Sequence, residues 1–276
     1  MSPSMSRTFH TAPLRRSARA PWAWAMAGVI AGSVLALVCF APARWLTQSL
    51  ESGSNTRLSF TDARGSVWNG SANLRLTGGP GSSDASALPG RVQWSLTANV
   101  QGLRPGLQVF IQAECCMRTP MAMQIVPGWQ SGEIQWTDHA SVWPAQWLSG
   151  LGTPWNTIRA DGPLALQTTG LRLQWSGKTL ALQGQAQLDA QDISSRLSTL
   201  RPMGSYRLTL LGGTSAQLEL KTLQGSLMLS GKGQWTDGKL RFTGEALAAP
   251  ERMDALSNLL NIIGQRQGAR SIITVG

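Results

Sequence analysis

Apolar and polar residues alternate with a period of two along most of this chain. The runs RVQWSLTANV (91–100), LQVFIQAECCM (107–117), LALQTTGLRLQW (164–175), TLALQGQAQLDA (179–190), YRLTLLGG (206–213), AQLELKT (216–222), GSLMLSGKGQW (225–235) and KLRFTGEAL (239–247) all follow it. Gly, Asp-Gly and Ser-Gly breaks separate many of them. That pattern predicts short antiparallel strands with one buried face. RLSFTDARGSVWNGSANLRL (57–76) adds two alternating segments, with Asn69-Gly70 as a hairpin-turn signal. Residues 78–90, GGPGSSDASALPG, have the composition of a surface loop. A faint echo links Trp175-Ser-Gly-Lys178, leading to Gly184-Gln-Ala186, with Trp235-Thr-Asp-Gly-Lys239, leading to Gly244-Glu-Ala246. It suggests a repeated hairpin unit.

Three places break the alternation. Residues 22–40, WAWAMAGVIAGSVLALVCF, run for nineteen positions without a charge. As a helix they would span about 28 Å, close to the hydrocarbon thickness of a bilayer. Residues 44–51 can extend that helix by a turn or two. Near 145–148 a short helical turn is expected. Near the C-terminus, Pro250 suits a first helical turn, and Met253, Leu256, Leu259, Leu260 and Ile263 form one apolar stripe that Gly264 can end. Ser271 to Val275 then reads as a last strand.

Composition sharpens this picture. Only 14% of residues are charged, against 30 glycines and 12 tryptophans, which is too apolar for a disordered chain and too rich in glycine for a helical bundle. The net charge of +10 is unevenly placed: Arg7, Arg15, Arg16, Arg19 and Arg44 precede a body (46–276) with 19 basic and 14 acidic residues. No basic run interleaved with aromatics occurs in the body, so nucleic acid is not an expected partner.

The N-terminal pattern implies a single-pass anchor. Trp22, Trp24, Phe40 and Trp45 flank or bound the apolar run, where indole rings favour the headgroup region. Arg15, Arg16 and Arg19 ahead of it predict a cytoplasmic N-terminus and a body on the far side. A cleavable signal peptide is the rival, because Ala41-Pro42-Ala43 has the small-x-small form. The run exceeds the roughly 7–15 residues of a signal core, and Pro42 falls within the site, so the uncleaved anchor is favoured. Arg15-Arg16 alone is weak support for a twin-arginine signal. The expected organisation is a basic cytoplasmic tail (1–21), a transmembrane helix (22–40), a juxtamembrane linker (41–56) and a periplasmic β-rich domain (57–276).

Catalytic chemistry has few carriers. Beyond the anchor there is one histidine, His139, and one tyrosine, Tyr206. Asp138-His139 are neighbours, and neighbours in a strand face opposite ways. No G-x-S-x-G elbow, phosphate loop or metal-ligand spacing occurs, so neither cofactor nor metal is expected and the chain does not read as an enzyme. QLDAQDISSRLSTL (187–200) lacks calcium-loop spacing; Asp192 there reads as the cap of a helical turn leading to Arg196. Cys115 and Cys116 read as two small buried hydrophobes more readily than as a vicinal disulfide. Trp94, Trp136, Trp175 and Trp235 sit in alternating runs and fit a core.

WPAQWLSGLGTPWNTIRADGPLAL (143–166) is different, with Trp143, Trp147 and Trp155 outside any alternating run. Trp143 and Trp147 can share a face of a short helical turn broken by Gly150 and Gly152, with Trp155 pinning the chain as it enters the next strand. The stretch reads as a fold corner rather than a ligand platform.

Taken in order, GSVWNG (65–70), the 143–166 stretch, DISSRLSTLRPMGSYRLTL (192–210), LKTLQGSLMLSGKGQW (220–235), LRFTGEALAAPER (240–252) and LSNLLNIIGQRQGARSIITVG (256–276) resemble protein N of the bacterial type II secretion system, GspN. The resemblance spans nearly everything from Gly65 to Gly276; the Cys115-Cys116 pair and the loop near residue 80 have no counterpart in it. It implies an inner-membrane component of a machine that exports folded proteins across the outer membrane. Its partners would be other secretion subunits and inner-membrane lipids, with no catalytic residues to carry over. It also implies an AsmA-like fold, a long curved antiparallel sheet forming a groove, and relatives of that shape handle lipid. A periplasmic lipid-binding or lipid-bridging module is therefore the alternative function.

Overall fold

The computed structural model describes residues 22–101, 104–177, 179–236 and 238–276. Arg15, Arg16 and Arg19 lie outside the described residues. The chain divides into two units, 1–40 and 41–276. In the first, helix α1 (Trp22–Cys39) is apolar on every side and buries none of its residues. Eighteen residues at 1.5 Å each give about 27 Å, so the helix is long and apolar enough to cross a membrane.

The second unit opens with helix α2 (Ala43–Gly53). The segment expected as a linker is thus largely helical, and α2 is not an extension of α1: the chain straightens at Pro42, which pairs with Ser66. Its Ala43 and Thr47 are buried, and Ala43 packs with Ala72 and Trp94.

Sixteen strands follow in one open, curved antiparallel sheet: β1 (Leu58–Gly65), β2 (Asn69–Thr77), β3 (Ala85–Ala87), β4 (Val92–Gln101), β5 (Arg104–Ala113), β6 (Met121–Pro127), β7 (Ser131–Trp136), β8 (His139–Pro144), β9 (Pro163–Ser176), β10 (Thr179–Ile193), β11 (Gly204–Gly213), β12 (Gln217–Gly225), β13 (Leu227–Thr236), β14 (Lys239–Ala248), β15 (Gln265–Gln267) and β16 (Arg270–Val275). Neighbours in sequence are mostly neighbours in space. The exceptions are β2 with β4, since β3, from inside the expected 78–90 loop, pairs only with β2; β7 with β9; and β14 with β16. Strands β7 and β8 share one long partner, β9, along its outer and inner halves respectively. The turn after β1 runs through Ser66–Trp68 rather than Asn69-Gly70: Gly65 takes φ +86°, Asn69 O accepts from Ser66 N at 2.8 Å, and Gly70 already belongs to β2. A side chain at Gly70 would collide with Trp94.

The register sets apolar residue against apolar residue across most ladders. Trp94 faces Ile111, Leu96 faces Val109, Ile125 faces Ile134, Ile134 faces Leu173, Leu188 faces Leu208, and Leu208 faces Leu220. Such cross-strand pairs stabilise a sheet and pin its register. In β9 the alternation changes phase, from Leu164 and Leu166 to Leu171, Leu173 and Trp175. The change falls where β9 carries one residue more than β10, at Gly170, whose φ is +57°. A bulge of one residue turns the following side chains to the other face, so the phase change keeps one face apolar. The Asp138 carboxylate accepts from Gly170 N at 2.7 Å at this level.

Tight hairpins join β4–β5, β6–β7, β9–β10, β11–β12 and β13–β14 at one end of the strands. Longer segments gather at the other. There helix α4 (Met253–Ile263), preceded by a 3-10 turn (Pro250–Arg252), buries Leu256, Leu259 and Leu260 against Leu164, Ile193, Met203, Tyr206, Leu227 and Ala246. The leucine stripe at helical spacing is what lets a single short helix cover this end.

Candidate functional site

The 143–166 stretch lies at the helix-covered end. It leaves β8, forms a 3-10 helix (Ala145–Leu151), turns at Gly152 (φ +80°), forms the one-turn helix α3 (Trp155–Ile158) and enters β9. Trp143 belongs to β8, not to a helical turn shared with Trp147. The two indoles nevertheless stack, with centroids 5.5 Å apart and planes 18° from parallel. Trp143 Nε1 donates to Ser141 Oγ at 2.8 Å. Trp143 packs on the core under α4 and also on a second cluster made by Leu88, Val92, Ala113, Cys116 and Met117; Trp147 joins only the second. Trp143 is therefore a bridge between the two cores. Trp147 Nε1 is buried without a partner. Trp155 is 40% exposed on α3, and the chain around it is set instead by Arg159 N donating to Trp155 O at 2.9 Å and Ala145 N to Gly162 O at 2.9 Å.

Gly150 has a positional reason that composition alone did not supply. A β-carbon there would strike the backbone of Leu76 and of Ser86, so the 3-10 helix lies directly on β2 and β3. This contact ties the corner to the first third of the sheet.

The cysteines correct an expectation. Cys115 and Cys116 follow the end of β5 in a turn, not in a strand, and form a vicinal disulfide with Cα atoms 3.7 Å apart. In a turn the two side chains are not driven to opposite faces. Cys116 is buried beside the Trp143–Trp147 stack, and its carbonyl accepts from Val142 N at 2.9 Å.

The 187–200 segment holds a second correction. Asp192 caps no helical turn; it lies next to last in β10 with φ +47° and donates its N–H to Ser205 Oγ at 2.9 Å. Ser195 and Ser198 hold the turns that follow, accepting from Leu197 N and Leu200 N at 3.1 Å each. Serine hydroxyls compete with the backbone in this way and favour turns over helix.

Among the anchor residues, Trp22, Trp24 and Phe40 are exposed at or just beyond the ends of α1, and Trp45 is exposed on α2. Ion pairs tie neighbouring strands of the sheet, Arg172 with Glu133 among them. Arg207 grips Asp189 with two bonds of 2.7 Å and holds its carboxyl below the usual carboxylate range. Arg64 and Arg91 lower Asp62 likewise, and burial pushes the Tyr206 hydroxyl up. Among the described residues no three His, Cys, Asp or Glu side chains converge as metal ligands. His139 starts β8 with its Nε2 buried, and Asp138 is committed to Gly170.

These features describe a protein whose parts are an apolar helix, one open curved sheet and a helix-sealed corner. The family model described as type II secretion system (T2SS), protein N matches residues 56–273, and the chain belongs to that family. No curated protein and no solved structure matches it. Family membership makes it a type II secretion component, in association with other components of that system.

Proposed function

We propose that this chain is an inner-membrane-anchored accessory subunit of type II secretion, supporting export across the outer membrane through protein–protein contacts. The family match over 56–273, behind an uncharged, mainly apolar eighteen-residue helix with none of its residues buried, carries the reading. Arg15, Arg16 and Arg19 ahead of the apolar run support a cytoplasmic N-terminus and a periplasmic sheet. Deleting the gene should abolish or reduce export of type II substrates, and the full chain should restore it. A reporter fused after Gly276 should be active only if it is a periplasmic reporter. Unchanged export in the deletion strain would argue against the role.

A lipid-handling module of AsmA-like shape is the second reading. It is favoured by a cavity of about 370 Å³ near the hairpin end, lined by Leu173, Leu180, Leu182, Leu210 and Trp235. It requires lipid to copurify with the protein in excess of detergent-exchanged controls; a lipid-free preparation that supports secretion would remove it.

A further inference from the structure

Beside the tryptophan corner lies a polar cavity of about 480 Å³, lined among others by Asp84, Asn156, Arg159, Asp161, Arg196 and Arg201. Its walls are fixed by the main chain. Asp161 and Ser194 exchange two backbone bonds of 2.9 Å, and Ser195 Oγ donates to Ile158 O at 2.5 Å. Both carboxylates are engaged by amide side chains: Asp84 accepts from Asn156 Nδ2 at 2.8 Å, and Asp161 from Gln146 Nε2. The three guanidinium groups are not matched in the same way. None of them forms an ion pair among the described residues, and the Arg159 guanidinium donates to the neutral Asn156 carbonyl, at 3.2 Å.

Arg159 also occupies an unusual backbone position. It caps α3 in the left-handed conformation, φ +43°, where glycine or asparagine is the ordinary choice. Holding arginine there costs backbone strain that glycine would relieve, and a residue kept against strain points to its side chain. Three exposed guanidinium groups against two carboxylates leave this hollow with a net positive charge and forked donors suited to an oxyanion.

We propose that this pocket binds an acidic side chain, Asp or Glu, of a protein partner. Its lining holds no large apolar side chain, so it has no place for an acyl chain. The first residue of the body, Ala41, is bonded to Val67 at the opposite end of β1 and β2 from this pocket. The partner's being a secretion subunit rests on the reading above; the anion site itself does not.

The test uses the full chain in detergent with a fluorescein-labelled hexaglutamate peptide and a hexaglutamine control. Hexaglutamate should bind in a salt-sensitive way, and the combined variant Arg159→Gly, Arg196→Gln, Arg201→Gln should weaken it at least tenfold. Arg241→Gln, on β14 away from the pocket, should leave it unchanged. Arg159→Gly alone should keep or raise the melting temperature while lowering affinity, which separates loss of the site from loss of the fold. Equal binding of hexaglutamine, or equal loss in Arg241→Gln, would overturn the proposal. So would binding of inorganic or glycerol phosphate that the triple variant loses while hexaglutamate fails to bind. Peptide binding with no copurifying secretion subunit would fault the secretion reading and leave the site standing.

Discussion

The two ends of the sheet share one alternating pattern and meet different fates. At the covered end, α4, the 3-10 corner and the Trp143–Trp147 stack close over the apolar face, and Leu256, Leu259, Leu260 and Ala246 are fully buried. At the hairpin end the same alternation leaves Val100 and Leu180 each 69% exposed, and Trp129 in the β6–β7 turn is 99% exposed. Periodicity selects which face is apolar; it does not select what covers it. Cover comes from the segments between strands. Those segments are long at one end and reduced to two- or three-residue turns at the other.

Substitutions at matched positions should expose the contrast. Leu260→Ala, under α4, should destabilise the body by about 2–5 kcal/mol, the range for removing a buried leucine from a packed core, whereas Leu180→Ala should be close to neutral. Urea unfolding followed by tryptophan fluorescence reads both, and similar losses at the two ends would erase the distinction. Trp147→Ala should cost about 3 kcal/mol, while Trp147→Phe should cost much less, because it also removes an unpaired buried N–H. A large loss with phenylalanine would mean the indole nitrogen has a partner.

Gly150→Ala should cost about 1–3 kcal/mol through overpacking against β2 and β3, while Gly53→Ala, at the end of α2, meets no neighbouring atom and should cost less. Smaller still is the Asp189–Arg207 pair, partly exposed on both sides, where Arg207→Gln should lower the melting temperature only slightly near neutral pH. The folded-state pKa of Asp189 is depressed, so this stability is present above the ordinary carboxylate value and lost as pH falls through the folded value. The wild-type and Arg207→Gln melting curves should therefore converge in acid; a gap that persists or widens there would contradict the assignment. Trp129→Ser should change stability by no more than about 0.5 kcal/mol.

The strands and the C-terminal helix were legible because period two and a stripe at helical spacing are local signals. Leu164 through Trp175 and Met253 through Ile263 announced themselves without any knowledge of partners. The break in alternation at 143–166 was legible, yet its construction was not: Trp143 and Trp147 meet from a strand and a 3-10 helix. Gly150 depends on backbone from residues 76 and 86, which no local window contains. Asn69-Gly70 misled for a related reason. It has the chemistry of a turn, but Trp94 needs a glycine beneath its ring, and the turn moved one step earlier. Cys115 and Cys116 look like strand residues because the alternating text runs on to Met117, whereas β5 ends at Ala113. The arginine pocket, gathered from residues 84 to 201, had no linear signature at all.

The central claim, that this chain works within the type II secretion machinery, is met most directly by crosslinking in intact cells. A photoreactive residue at Trp155, exposed on the corner, and another at Trp129, on the far hairpin, should be compared after purification of the full-length protein. Other type II secretion components should be enriched with it. No enrichment from either position, in cells actively exporting substrate, would contradict it.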